Sequence, residues 1–569
     1  MTTKPQLISA PEPLAPVPFK IPEPFETKLA NGLKVVLFSD DRLPLISLRL
    51  AFGSGDAADL ESSGAVSSAT ASMITEGTQN SSSRQLAEQI ERLGASISAS
   101  SSDDFTIVGA SALSLYTSEV LRLIEEILLT SNFPETEIDL YRRNTLEHLK
   151  FQRSQPNFLA SEHSARLLFG EHPYSKVSPT PADVERLTRG RLLEFKRKHY
   201  VPNNATLIIV GDINQSELLR QVEERFSGWQ QSEVHEDQPF AIPERVERSL
   251  TIVDRPGSAQ SNIVLANIAI ERDNEDYFPF LVMNQVLGAG ASSRVFMNLR
   301  EEKGYTYGAY TRFDAKRLAG DFEATAEVRT AVTGDSLKEF FFELDRIRTE
   351  KVSDEELIDA KNFLTGVFPI RAETQEGLTN LIVTQYLYDL PADYLQTYRE
   401  QVSAVTVEDV HRVANKYVNP QHAALVIVGD AGEILSQASA FAETVEIFDT
   451  EGNAKSMVDY STTPDGEPAN AAGNWLLTLD FQGQSLPVSM TLQQDGTGVS
   501  GSIETMLGTG RISEGSLAGE KLSATVITEI QGEQVEFEIN GKIAGDSLTG
   551  LITTPLAPDP LPFNGSRSV

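Results

Sequence analysis

One phrase is written twice in this chain: YVPNNATLIIVGD at Tyr200–Asp212 returns as YVNPQHAALVIVGD at Tyr417–Asp430, 217 residues later. A fixed-distance repeat of this length marks duplication of a whole structural unit. Each copy follows an amphipathic helical stretch, LTRGRLLEFKRKH before the first and VTVEDVHRVANK before the second. Each ends in a β-rich apolar run closed by Gly-Asp, so the phrase encodes helix, turn and buried strand. The openings of the two halves also correspond. NGLKVVLFSDDRLPLISLRLAFGSG in the first and SLTIVDRPGSAQSNIVLANIAI in the second both alternate apolar strands around a polar turn. Strands separated by helices of ordinary length predict two α+β domains, each a mixed sheet with helices packed on it. The expected bounds are about residues 24–238 and 239–446.

A third unit of different character is expected beyond the duplication. Residues 447–472 include DTEGNAKSMVDYSTTPDGEPANAA, small, polar and turn-forming, and read as a linker. From Gly473 to Val569 short alternating strands recur between glycine-containing turns, as in GSIE, GRIS, GSLAG, GKIAG and GLI. That pattern predicts a small antiparallel all-β barrel or sandwich. Three units also suit the length, since 569 residues exceed what one core organises. The first 23 residues, rich in spaced prolines, read as an extended leader. They lack the apolar core of roughly 7 to 15 residues that an export signal needs, so the cytoplasm is the expected compartment. A signal peptide already removed would place the chain in the periplasm instead.

Charge narrows the partners. With 81 acidic against 48 basic residues the net charge is -33, which opposes binding to nucleic acid and to anionic lipid. No apolar run approaches the ~18 residues of a bilayer span. The absence of cysteine excludes disulfides, thiolate metal sites and thiol nucleophiles.

Two segments carry the chemistry. The first, GAVSSATASMITEGT at Gly64–Thr78, reads as a buried helix of small residues. The second, SSRVFMNLREEKGYTYGAYTRF at Ser292–Phe313, reads as a helix capped by Gly304 and followed by a strand. Together with the duplication, they resemble the pitrilysin or insulinase family of zinc peptidases, the inverzincins. The likeness is to bacterial short-chain members related to mitochondrial processing peptidase, and it spans about residues 25–445. In active relatives a helix bears His-x-x-Glu-His, two imidazoles for zinc and a glutamate as general base. Aligned through Gly77-Thr78, the resemblance puts Ser68, Ala71 and Ser72 at those three positions, and Glu147 in TLEHLKF at the distal ligand position. A lone carboxylate does not hold catalytic zinc, so no metal is expected in this chain and Glu147 reads as a surface or pocket carboxylate. His148 and His163 do not replace the lost ligands, because neighbours on a helix face different ways and no third histidine lies near in sequence. Ser67, Ser68 and Ser72 lack the oriented base that a serine nucleophile requires.

The resemblance further implies that Arg300 and Tyr307 match the family's Arg/Tyr pair, a cationic fork and a phenolic donor suited to binding a peptide carbonyl and its developing oxyanion. Read without the family, Arg300 pairs with Glu301 or Glu302 at the surface and Tyr307 packs on a sheet. Having the second set without the first implies a zinc-less subunit, inactive alone, of a heterodimeric peptidase. Its partner would be a homologous zinc-bearing chain and its substrate a peptide or unfolded protein. The alternative implied by the family's non-proteolytic members is a peptide-binding or scaffolding pseudoenzyme.

Overall fold

A computed structural model of the chain describes residues 21, 23–59, 61, 64–234, 240–457, 460, 469–481, 484–505, 508–530, 533–554 and 560–568. Most of the expected leader, part of the expected linker and His235 lie outside the described residues. The chain divides into two compact units, Met1–Ser456 and Met457–Val569.

The first unit holds two mixed sheets. Six strands form one: β1 (Phe25–Lys28), β2 (Lys34–Ser39), β3 (Leu45–Phe52), β4 (Ser96–Ser101), β5 (Thr106–Leu113) and β6 (Ala205–Gly211). Their order is β1-β2-β6-β3-β5-β4. Seven form the other: β7 (Ser249–Asp254), β8 (Gln260–Ile268), β9 (Thr306–Ala315), β10 (Gly320–Arg329), β11 (Ala424–Gly429), β12 (Thr444–Phe448) and β13 (Ala454–Lys455), in the order β13-β12-β7-β11-β8-β10-β9. The repeated phrase supplies the interior strand of each sheet. β6 runs parallel to β2 and antiparallel to β3, and β11 runs parallel to β7 and antiparallel to β8. A strand covered on both faces must be apolar throughout rather than alternating. Accordingly every residue of β11 is buried, as is nearly all of β6. The Gly-Asp that ends the phrase is fixed by space as well, because a Cβ on Gly211 would stand 2.2 Å from the Leu45 carbonyl oxygen. The helices before the two strands, Arg189–His199 and Val407–Tyr417, are N-capped by Thr188 and Thr406, whose side chains accept from the backbone N–H groups of Arg191 and Asp409.

The halves cover each other. Helix Pro156–Phe169, from the first half, lies on β8 and β11, with Leu159, Ala160 and Leu168 against Val264, Val426 and Val428. Helix Gln375–Leu387, from the second, lies on β3 and β6, and Leu378, Ile382 and Val383 join Val36, Phe38 and Ile208. At about 1.5–3 kcal/mol for each large apolar side chain buried, this exchange binds the halves into one unit.

The second unit is a closed barrel of eight strands, β14 (Gly473–Phe481), β15 (Gln484–Asp495), β16 (Gly498–Thr505), β17 (Gly508–Ala518), β18 (Lys521–Ile530), β19 (Glu533–Ala544), β20 (Ser547–Thr553) and β21 (Leu561–Ser568). Each is antiparallel to the next, and β21 pairs back onto β14, which removes every free edge. Inward residues such as Leu477, Met490, Val526, Ile539 and Leu548 form its core. Trp475 is buried in that core, donates its indole N–H to Ala471 (2.9 Å) and lies under the Arg567 guanidinium, 4.5 Å from the ring centre. Among the described residues no helix is long and apolar enough to cross a membrane.

Candidate functional site

The helix carrying the degenerate motif spans Ala65–Ser72 and packs between the edge strand β4 and helix Arg189–His199. Its small residues allow this approach: Ser67 and Ala69 are fully buried and Ala71 nearly so. The hydroxyls are consumed internally. The Asp56 carboxylate, on a short turn at Asp56–Ala58, accepts bonds from Ser67 Oγ, from Ser101 Oγ (2.7 Å) and from Ser68 Oγ (3.1 Å). Burial pushes the Asp56 carboxyl above its ordinary value; the three hydroxyl donors work against that rise and the nearby Asp103 charge adds to it. Thus Ser68, the expected position of the first imidazole, is turned onto an internal carboxylate.

Ser72 stands at the exposed end of the helix and is met by Tyr141 of helix Glu135–Arg153, whose phenol is pushed up by burial and interacts with Thr145 and Ser72. Glu147 lies six residues beyond Tyr141, about 120° away around the helix. Its side chain is 73% exposed and its Oε1 accepts from Lys150 Nζ at 2.7 Å. The structure therefore brings Tyr141 to Ser72 at the end of the motif helix but leaves Glu147 on a solvent face. His163 is in a different place again, buried against the Phe448 ring of the second sheet. Burial and the charges of Arg166 and Arg153 push its pKa down to about 4. A zinc ion does not fit the motif helix. Ser68, Ala71 and Ser72 offer two hydroxyls and a methyl, and no group of three histidine, aspartate or glutamate side chains able to hold a metal occurs among the described residues.

The corner holding Arg300 and Tyr307 is built differently. A short helical turn, Arg294–Phe296, runs into a π-helical turn over Met297–Glu302, and Gly304 (φ +64°) leads into β9. A π turn carries an extra residue and is common at functional sites. Here it is pinned from inside. Arg294 makes a bidentate pair with Glu356 (2.6 and 3.0 Å), and Asn298 donates to Glu339 and Glu343 (3.0 and 2.9 Å). Burial pushes Glu356 up, but its bonds to Arg294 and Ser353 prevail and hold it at about 2. Sequence reasoning missed the three anchoring carboxylates, Glu339, Glu343 and Glu356; only the Ser353-x-x-Glu356 capping box has a local signature.

Arg300 projects outward from this turn, its side chain 44% exposed, 5.0 Å from the Phe296 ring centre and 2.9 Å from Glu301 Oε1. Such exposed pairs contribute about 0–1 kcal/mol, so the guanidinium exchanges partners readily. The surface pairing expected of Arg300 in isolation is therefore present, with Glu301. Tyr307 sits on a β-bulge where the β9–β10 register shifts between the pairs Ala309–Ala326 and Thr306–Val328. Thr306 locks the bulge: its hydroxyl donates to the Glu327 carbonyl (2.6 Å) and accepts from Gly308 N–H (3.1 Å). A Cβ on Gly308 would press within 2.7 Å of the Tyr310 ring. The result is a Tyr307 that is 91% exposed and makes no side-chain hydrogen bond or ring contact among the described residues.

Comparison with known proteins agrees with this architecture. Residues 34–176 match the insulinase model of peptidase family M16, and residues 186–364 match the peptidase M16 inactive domain. An uncharacterized zinc protease of Streptomyces coelicolor is 25% identical over 60% of this chain and 76% of its own length. The non-peptidase homolog YmxG of Helicobacter pylori is 23% identical over 67% of this chain and 88% of its own. The crystal structure of a peptidase M16 inactive domain from Pseudomonas fluorescens superposes with a TM-score of 0.68 at 26% identity, covering 72% of this chain and 98% of that one. With the insulinase match over residues 34–176 followed by the inactive-domain match over residues 186–364, the chain belongs to peptidase family M16, the insulinase family.

Proposed function

We propose that this chain is the non-metal subunit of a heterodimeric zinc peptidase, binding peptide or unfolded protein and offering Arg300 and Tyr307 to the active site of a homologous zinc-bearing partner. The observation that carries this reading is the presentation of Tyr307: the chain spends a locked bulge and a pinned π turn to hold a phenol out, 91% exposed, beside a loosely engaged Arg300. Both groups donate hydrogen bonds. Placed against a scissile carbonyl they hold its oxygen and stabilise the charge that grows there during attack, whereas the nucleophile and the general base belong to the partner. β4 and β9 are sheet edges with unpaired backbone groups, which suits main-chain recognition of extended peptides.

The second reading, a peptide-binding or scaffolding pseudoenzyme, draws support from the non-peptidase name of the Helicobacter pylori relative. Affinity purification of the chain at native expression, with mass-spectrometric identification of stoichiometric partners, separates the two. A similar-sized chain bearing His-x-x-Glu-His is expected. Recovery of this chain alone, or with unrelated proteins, favours the scaffold.

A further inference from the structure

The C-terminal barrel lies beyond the M16 matches, which end at residue 364, and its outer surface has two unlike walls. Strand alternation turns every second side chain of a closed barrel outward. On β16 to β19 the outward positions carry charge, as at Glu504, Arg511, Lys521, Glu529, Glu536 and Lys542. On the adjoining β20, β21, β14 and β15 every outward position with a described side chain is Ser, Thr, Asn, Gln, Pro or Leu, until Asp495 ends β15. Arg567 of β21 has the inward register and lies over the Trp475 ring. Leu476, 56% exposed, and Leu551, 47% exposed, are the large aliphatic side chains of this uncharged wall.

Single exposed leucines are ordinary, but their setting here is not. In a chain of net charge -33, a wall free of charge is the place where another anionic body approaches with least repulsion. Its hydroxyl and amide groups both donate and accept hydrogen bonds, so the wall complements a copy of itself. No aromatic side chain among the described residues stands on it, since Trp475 and Phe563 point into the core, and a sugar finds no ring to stack on. Because β21 closes onto β14 the barrel has no free edge, and a partner meets it face to face rather than by adding a strand.

We propose that the wall formed by β20, β21, β14 and β15 is the contact between two copies of this chain, packed barrel to barrel about a two-fold axis. Such an axis makes each contact reciprocal. β21 runs between the strands of the two leucines; Leu476 is level with Ser566 and Leu551 with Pro562. An axis lying in the interface and passing Asn564, midway between them, sets Leu476 of each copy against Leu551 of the other. Four strands about 4.8 Å apart, each covering about 25 Å, present roughly 500 Å² per copy. A total of about 1,000 Å² is at the low end for a specific interface, so the dimer is weak and depends on concentration.

Sedimentation velocity of the full chain from micromolar to submillimolar concentration tests this. A monomer–dimer equilibrium is expected, and added salt should strengthen it, because salt screens the repulsion between two chains of charge -33 and finds no ion pair on the wall to weaken. Leu476→Glu and Leu551→Lys should each weaken association by about tenfold or more. The double variant should recover it, since each new glutamate then faces a lysine of the other copy. Ile527→Glu, on the charged wall, should leave association unchanged. All three side chains are exposed, so their replacement leaves the barrel folded. A chain monomeric throughout, a dimer indifferent to Leu476→Glu and Leu551→Lys, a double variant no better than its singles, or an equal loss in Ile527→Glu overturns the proposal. A monomer whose Leu476 and Leu551 methyl signals shift on adding soluble dextran also overturns it and gives the wall to a glycan.

Discussion

The two halves of the first unit share a sheet architecture and have opposite local chemistry. In the first half the polar groups near the motif helix bond to each other: Ser67, Ser68 and Ser101 are spent on Asp56, and Ser72 meets Tyr141. Arg49, on the inner face of that sheet, is spent on Glu376, Ser47 and the Leu48 carbonyl. In the second half the equivalent region leaves groups unspent, namely the Tyr307 phenol, the loosely paired Arg300 and the Glu323 Oε1 oxygen. A duplicated scaffold thus became self-satisfied in one copy and outward-offering in the other. Solvated groups such as the Tyr307 phenol cost the fold nothing and stay available to an external partner, whereas a buried polar group left without a partner costs stability.

That contrast is broken or sharpened by stability measurements, beginning where strain is greatest. Asp321 rises from an ordinary 3.8 to about 7 in the fold. The folded chain therefore holds a proton that the unfolded chain has released, and stability falls as pH climbs between those values and remains reduced above them. Asp321→Asn removes the burden and should stabilise the first unit by on the order of 4 kcal/mol at pH 8 and by almost nothing at pH 4; urea unfolding at both values checks this, and equal effects contradict it. Next in size is Asp56→Ala, which strips three hydroxyls of their acceptor and should cost about 1–3 kcal/mol. A smaller loss would mean that the first corner is not self-satisfied. Tyr307→Ala should change the stability of the isolated chain by less than about 0.5 kcal/mol, since the ring has nothing to lose. A larger loss, seen in the same unfolding experiment, would show that the phenol is structural. The least effect is expected from Glu147→Ala, which removes an exposed i,i+3 pair of about 0–0.5 kcal/mol and should leave the metal content of the purified chain as it was.

Legibility in the sequence followed the range of the forces. The repeated phrase foretold β6 and β11 because a doubly covered strand writes its burial as one apolar run. Alternation with glycine turns foretold the β-rich C-terminal unit, and its closure into a barrel distinguished it from a sandwich. The helix-end-to-strand course from Arg300 to Tyr307 was also readable, through Gly304. What stayed hidden depends on partners distant in sequence. Nothing near Ser68 announces that Asp56 and Ser101 will meet it, nor does Pro156–Phe169 announce that it will cover the other half's sheet. The π turn at Met297–Glu302 is held by Glu356, 62 residues from Arg294, and the Tyr307 bulge shows only in the register with β10.

The central claim is that Arg300 and Tyr307 act in another chain's active site, and turnover by the reconstituted pair tests it most directly. The zinc-bearing subunit is combined with this chain as wild type, Arg300→Ala or Tyr307→Phe, assembly is matched by native mass spectrometry, and kcat is measured on one peptide. Each variant should assemble and bind peptide normally while kcat falls by about 10²–10³, the usual cost of losing one oxyanion donor. Unchanged kcat in both variants would contradict the claim and leave the chain as a scaffold.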